Sequence, residues 1–222
     1  GATKESIGNI FPGISKPRIY ITKPDGAVSK QLLAIEENNY FSGQLTFKDE
    51  PGRYKIEMMV DTELGPTVAN LFPLYIDVPY DTELILTPKN SYTSETYASV
   101  DAAENAFAKL VNSVRQKNKL SELSWDRDLQ LLARGHSNQM KQKEFFGHTT
   151  PEGQTLQMRA QGVTRAYSKV TENLAQNATL TEAIDKLMES PAHRGNILDP
   201  ELTDFGVGIA IKKNTDQTPL YI

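Results

Sequence analysis

Three histidines occur in this 222-residue chain, His136, His148 and His193. Two stand at points of chain punctuation. His148 closes the run Phe145-Phe146-Gly147-His148 and leads into Thr150-Pro151-Glu152-Gly153. His193 lies in Ser190-Pro191-Ala192-His193-Arg194. Each sits beside a turn-forming Pro or Gly at the edge of an expected helix. Imidazole is the commonest metal ligand and carries a proton near neutral pH, so both positions are candidates for a polar or metal-holding site. His136 instead falls on the apolar stripe of a helix, where a hydrogen-bonded structural histidine is the expectation. The chain has no cysteine, which excludes thiol catalysis, cysteine zinc sites and disulfides. HExxH, GxSxG, GxGxxG, P-loop and EF-hand patterns are absent, and Ser137 and Ser190 lack a nucleophile-elbow context.

The elements that must position these residues change character along the chain. From about 16 to 87 the pattern has period two. Arg18 to Thr22, Gln31 to Ile35, Tyr40 to Phe47, Arg53 to Val60, Leu74 to Val78 and Glu83 to Leu86 read as short strands. In Arg53 to Val60 the residues Tyr54, Ile56, Met58 and Val60 share one face, with Arg53, Lys55 and Glu57 on the other. Lys23-Pro24-Asp25-Gly26 and Pro51-Gly52 supply turns, because Pro presets φ and Gly accepts positive φ. This predicts an all-β, immunoglobulin-like sandwich over 1–87. Residues 88–100 are polar, Ser/Thr-rich and without an apolar face, and read as a linker.

Beyond it the period is helical. Stripes over 101–118 and 126–143, a short segment over 154–161, and a helix from Leu180 to Met188 with a Thr179/Glu182 capping box are expected. Ser190-Pro191 is an N-cap and N1 pair for one more turn. Phe205 to Ile211 reads as a buried strand in which Gly206 and Gly208 permit close packing, and Leu220 to Ile222 as the start of another. Trp125 is expected in the core. Residues 101–222 form an α+β domain.

Composition narrows the function classes. A formal net charge of −4 without a block of Lys and Arg argues against nucleic acid, whose phosphates need clustered cations. No apolar run approaches the ~20 residues of a membrane helix. The opening Gly1-Ala2-Thr3-Lys4-Glu5-Ser6 lacks the apolar core of a signal peptide, as would a chain trimmed after one.

Residues 104–222 resemble the CAP superfamily (cysteine-rich secretory proteins, antigen 5, pathogenesis-related proteins; the SCP domain), in its cysteine-free bacterial branch. The matching pieces are Asn112-Ser113-Val114-Arg115, Leu123-Ser124-Trp125-Asp126, Ala133 with His136-Ser137 and Met140, Phe145 to His148, Thr150 to Gly153, Thr171-Glu172-Asn173-Leu174-Ala175, Ser190 to Arg194 with Asn196-Ile197-Leu198, and Phe205-Gly206-Val207-Gly208. The resemblance implies an α-β-α sandwich, a secreted or surface-attached protein, and a central cleft with two His and two acidic residues. It carries over His148, Glu172 and His193. The position expected for the other acidic residue holds Ser190, with Glu189 one residue earlier as a further candidate.

Two functions follow as expectations. In one, the chain is a secreted or envelope-associated module that binds a protein, lipid or envelope ligand through the His/Glu cleft. In the other, His148 and His193 hold Zn²⁺ with Glu172 as a third ligand or as general base, and the ion acidifies a water for hydrolysis. The missing fourth ligand and the lack of an orthodox nucleophile favour the binding module.

Overall fold

In a computed structural model, residues 4–9, 14–35, 40–47, 51–79, 92, 94–163, 165–213 and 219–222 are described. The chain divides into two compact units, Gly1–Lys89 and Asn90–Ile222.

The first unit consists of antiparallel sheets. Strands β1 (Lys4–Asn9), β5 (Tyr40–Gln44) and β4 (Ala34–Ile35) form one sheet in the order β1-β5-β4. Strands β2 (Ser15–Thr22), β3 (Val28–Leu32), β6 (Gly52–Thr62) and β7 (Gly65–Ile76) form the other, in the order β3-β2-β6-β7. The turn joining β2 to β3 is the expected one. Gly26 takes φ +90, its N–H donates to Lys23 O at 2.9 Å, and Ala27 N–H donates to Asp25 Oδ1 at 2.9 Å. The core draws on both sheets: Phe41 from one, and Ile19, Tyr54, Ile56 and Met58 from the other. Alternation along β6 holds only through Ile56, and a bulge opposite β7 shifts the register between Met58 and Met59. Beyond the bulge Met59 and Val60 are both buried. Glu57, expected on the polar face, is buried too. The expected strand at Glu83 to Leu86 lies outside the described residues.

The second unit carries helices α1 (Val100–Lys117), α2 (Arg127–Lys143), α3 (Leu156–Ala160), α4 (Leu180–Glu189) and α5 (Pro191–Ile197). Each starts where a side-chain oxygen accepts an otherwise orphaned N–H. Ser99 caps α1, Asp126 caps α2, Thr155 caps α3, Thr179 caps α4 and Ser190 caps α5. The apolar stripes of α1 and α4 pack together, with Val111, Ile184, Leu187 and Ile197 at one core and Ala103, Leu180, Ile209 and Tyr221 at another. The strands are short. β8 (Ser124–Trp125) runs parallel to β9 (Asp204–Phe205), and β10 (Ile211–Lys213) pairs antiparallel with β11 (Pro219–Tyr221).

Two expectations are corrected here. Phe205 to Ile211 is not one strand, because the backbone of 206–210 finds its partners elsewhere. Ile209 N–H donates to Glu104 Oε1 at 3.0 Å, Gly208 O accepts from Ser137 Oγ at 2.9 Å, and Ala210 exchanges two bonds with Ile222. Trp125 is 38% exposed, its ring standing edge-on to Phe205. Within the stretch read as a linker, the described residues 94–100 include the half-buried side chains of Glu95 and Tyr97. Glu95 accepts from the Leu180 backbone N–H at 2.9 Å, and Tyr97 joins the Ala103–Leu180 core against the ring of Tyr221.

Candidate functional site

Four separate elements supply the site. Helix α2 ends at Glu144, which takes a left-handed φ of 54° and turns the chain into the loop before His148. That loop is held from within the helix. The Nε2 of buried His136 bonds the Gly147 carbonyl at 2.8 Å and its ring packs edge-on to Phe145. A carbonyl only accepts, so His136 carries its proton on Nε2. Burial, the leading cause, drives the His136 pKa down and keeps the ring neutral. The following turn closes through Gly153, at φ +82, whose N–H donates to Thr150 O at 2.8 Å. It delivers the chain to α3, which carries Arg159. Glu172 lies in an irregular segment tied to α5. Asn173 Nδ2 donates to His193 O at 2.9 Å, and Asn196 Nδ2 donates to Asn173 Oδ1 at 2.8 Å. His193 sits in the first turn of α5, behind the Ser190 cap.

At the centre, His148 Nδ1 meets Glu172 Oε1 at 2.8 Å, and Arg159 Nη2 donates to Glu172 Oε2 at 2.6 Å. Arg159 Nη1 also donates to the His148 carbonyl at 2.9 Å. The pair is nearly dry: the Arg159 and Glu172 side chains are 6% and 11% exposed. Burial works to raise the Glu172 carboxyl, but the His148 hydrogen bond and the Arg159 charge outweigh it, and its pKa lies below the usual value. His193 is neutral, its pKa pushed down to about 4, first by burial and then by neighbouring His148. Its Nδ1 lies 2.7 Å from Ser190 Oγ.

His148 and Glu172 are therefore in direct contact, and His193 lies near enough to His148 to feel its charge. Glu189 is not part of the group. It pairs with Lys186 one turn back along α4, at 3.2 Å and with its side chain 37% exposed, because its helical position faces it outward. Arg159 is the site residue that sequence reading missed. The cue was indirect: a buried carboxylate needs a cation, but Arg159, Arg165 and Lys169 all lie near Glu172 in sequence.

A model of the cysteine-rich secretory protein family, CAP, matches residues 108–222. The chain belongs to this family. The chain is 37% identical over 123 residues to the uncharacterised protein YkwD of Bacillus subtilis (strain 168), covering 54% of this chain and 47% of that protein. It is 30% identical over 141 residues to the uncharacterised membrane protein YlbC of the same organism, covering 63% of this chain and 40% of that one. The chain thus spans less than half the length of either relative. Among solved structures it resembles an outer surface protein of Borrelia burgdorferi, with TM-score 0.49 and 18% identity over 58% of this chain and 94% of the other. It also resembles an extracellular SCP-domain protein of Bacillus anthracis, with TM-score 0.45 and 21% identity over 80% of this chain and 64% of the other.

Within the CAP domain the donor set does not fit the three-ligand zinc site expected above. Both Glu172 oxygens are engaged, one by His148 and one by Arg159, which makes the carboxylate an orienting partner. Each imidazole has its Nδ1 committed, leaving two Nε2 atoms, fewer than the three protein ligands of a catalytic zinc. Among the described residues no group of three or more His, Asp or Glu is placed to hold a metal ion. Ser190 is no free nucleophile either: it is 4% exposed and its oxygen caps α5. The CAP domain also contains a cavity of about 370 Å³. His136, Glu172, Asn173 and Asn196 line it; His148 and His193 do not.

Proposed function

We propose that this chain is a secreted or envelope-associated bacterial CAP protein that acts as a binding module. The proposed site is the His148–Glu172–His193 group, and the ligand is a protein, lipid or other envelope component. The observation that carries this reading is the mutual engagement of the polar groups. Arg159 and His148 hold Glu172, Ser190 meets His193, and Ser190 itself is buried. Such a group can orient a ligand through its two remaining imidazole nitrogens and has no activated nucleophile to attack one. Membership of a family described as secretory supports the location. Among the described residues no helix is long and apolar enough to cross a membrane. In the first unit a core shared by two antiparallel sheets supports the immunoglobulin-like sandwich, read as a spacer or adhesin-like unit.

The test uses the whole chain and its His148→Ala/His193→Ala variant. Binding is measured to purified cell-wall fragments, to vesicles of anionic bacterial lipid and to a peptide array, beside a zinc-supplemented peptide and ester hydrolysis panel. Saturable binding to one probe, reduced at least tenfold in a variant that keeps its melting temperature, supports the module. Turnover by the wild type with no retained ligand moves the assignment to the metal-dependent hydrolase.

A further inference from the structure

Ser190 and His193 contain one more piece of chemistry. The Ser190 oxygen accepts the His193 backbone N–H at 3.3 Å as the cap of α5, and lies 2.7 Å from His193 Nδ1. At 4% exposure its hydroxyl proton has no water to turn to. Two arrangements fit the 2.7 Å contact. If His193 donated from Nδ1, the serine oxygen would accept twice and its own buried O–H would lack an acceptor. If Ser190 donates, every group is satisfied: the oxygen accepts from the backbone and its proton goes to the Nδ1 lone pair. His148 is fixed in the opposite sense. Its Nδ1 faces an ionised carboxylate, which only accepts, so Nδ1 holds a proton, and in the neutral ring Nε2 is the lone pair.

We propose that Ser190 holds His193 with its proton on Nε2, so that the site offers a ligand one imidazole acceptor, His148 Nε2, and one imidazole donor, His193 Nε2–H. This rests on the binding-module reading and sets the ligand chemistry: a neutral group that both donates and accepts, a hydroxyl or a carboxamide. A divalent cation is disfavoured twice. His193 Nε2 has no lone pair to give, and Arg159 offsets the charge of Glu172.

The test is a long-range ¹H–¹⁵N correlation spectrum of the whole chain, labelled at histidine, at pH 7, where the two neutral tautomers have distinct nitrogen patterns. His→Gln variants assign the three rings. The expected result is Nε2–H for His193 and Nδ1–H for His148. Ser190→Thr, which keeps the hydroxyl, retains the pattern. Ser190→Asp supplies a carboxylate and inverts His193 to Nδ1–H. Zinc titration followed by the same resonances then shows at least a tenfold gain in affinity in Ser190→Asp, the scale expected of a change in the partner that orients a ligand. A wild-type His193 protonated on Nδ1 overturns the inference, and so does equal zinc affinity in a folded Ser190→Asp variant. The wild-type spectrum decides even if that variant fails to fold. Neither overturning result touches the module reading, which fails separately if no probe binds while the tautomers stand as assigned.

Discussion

Arg159 and Glu172 are each charged and each nearly dry, a state neither could hold alone. Breaking a buried pair leaves an uncompensated charge and costs about 3–5 kcal/mol. Arg159→Met is therefore expected to lower stability by that order in urea unfolding. Arg159→Met/Glu172→Met recovers much of the loss, because no charge is left stranded; a double mutant no better than the single would show that the pair does not carry the effect. His193 makes a pH prediction. Its pKa is about 4 in the fold against 6.5 when unfolded. Above 6.5 both states are neutral there and nothing is lost. Between 6.5 and 4 the unfolded chain takes up the proton and the fold does not, so stability falls as pH falls, by about 3 kcal/mol over the whole interval. His136, also shifted down by burial, adds a slope of the same sign, so the reading is the difference between wild type and His193→Gln. The variant is expected to lose stability less steeply from about pH 6.5 to about 4.5; parallel curves would place His193 in contact with solvent. These imidazoles stood out in the sequence because Pro and Gly frame them. Arg159 did not, because nothing local separates a cation that turns inward from one that faces water.

Helix starts were legible because a cap is local chemistry: one oxygen, one N–H three residues on, and a change of period. Strand extents in the CAP domain were not, because the backbone of 206–210 bonds to side chains of α1 and α2 that lie far away in sequence. Gly206 and Gly208 were readable as close-packing positions, but not the surface they meet. That surface is the backbone of α2. A β-carbon at Gly208 would lie 1.9 Å from Arg134 N, and one at Gly206 would lie 2.1 Å from Gln130 N. Backbone cannot swing aside as a side chain can, so Gly208→Ala must push the segment off the helix, straining the Ser137–Gly208 bond and the Glu104–Ile209 bond together. Overpacking of this kind costs about 1–3 kcal/mol, occasionally more, and the lost bonds place Gly208→Ala at the upper end. The comparison is Gly135→Ala on α2, where a β-carbon would have nothing within 4 Å and helix propensity favours Ala by about 1 kcal/mol. Opposite signs in thermal unfolding are the expected outcome, and equal melting temperatures would mean that the helix gives way at no cost.

At the scale of the whole chain, the change from period two to a helical period marked where one kind of unit gives way to another. The polar stretch between them was harder to read, since composition alone makes a run of Ser, Thr and Tyr look solvated. Two of its side chains attach it to the CAP domain. Glu95 accepts from Leu180 N and Thr181 N at the start of α4, and the Tyr221 hydroxyl donates to the Glu95 carbonyl at 2.8 Å. Tyr97 bonds Glu95 Oε2 at 2.9 Å while its ring stands edge-on to Tyr221, with centroids 5.9 Å apart. A carboxylate at a helix start satisfies orphan donors and faces the positive end of the helix dipole. Losing such a cap costs about 0.5–2 kcal/mol, and removing a half-buried tyrosine adds about 1–2 kcal/mol. A fragment beginning at residue 90 should therefore melt about 10 °C above one beginning at residue 98, which keeps the Ser99 cap of α1, taking ~3–5 °C per kcal/mol for a domain of this size. In the full chain, Glu95→Ala and Tyr97→Ala divide the effect between cap and ring. If the two fragments melt together, residues 90–97 contribute nothing to the CAP domain and behave as the tether their composition suggests.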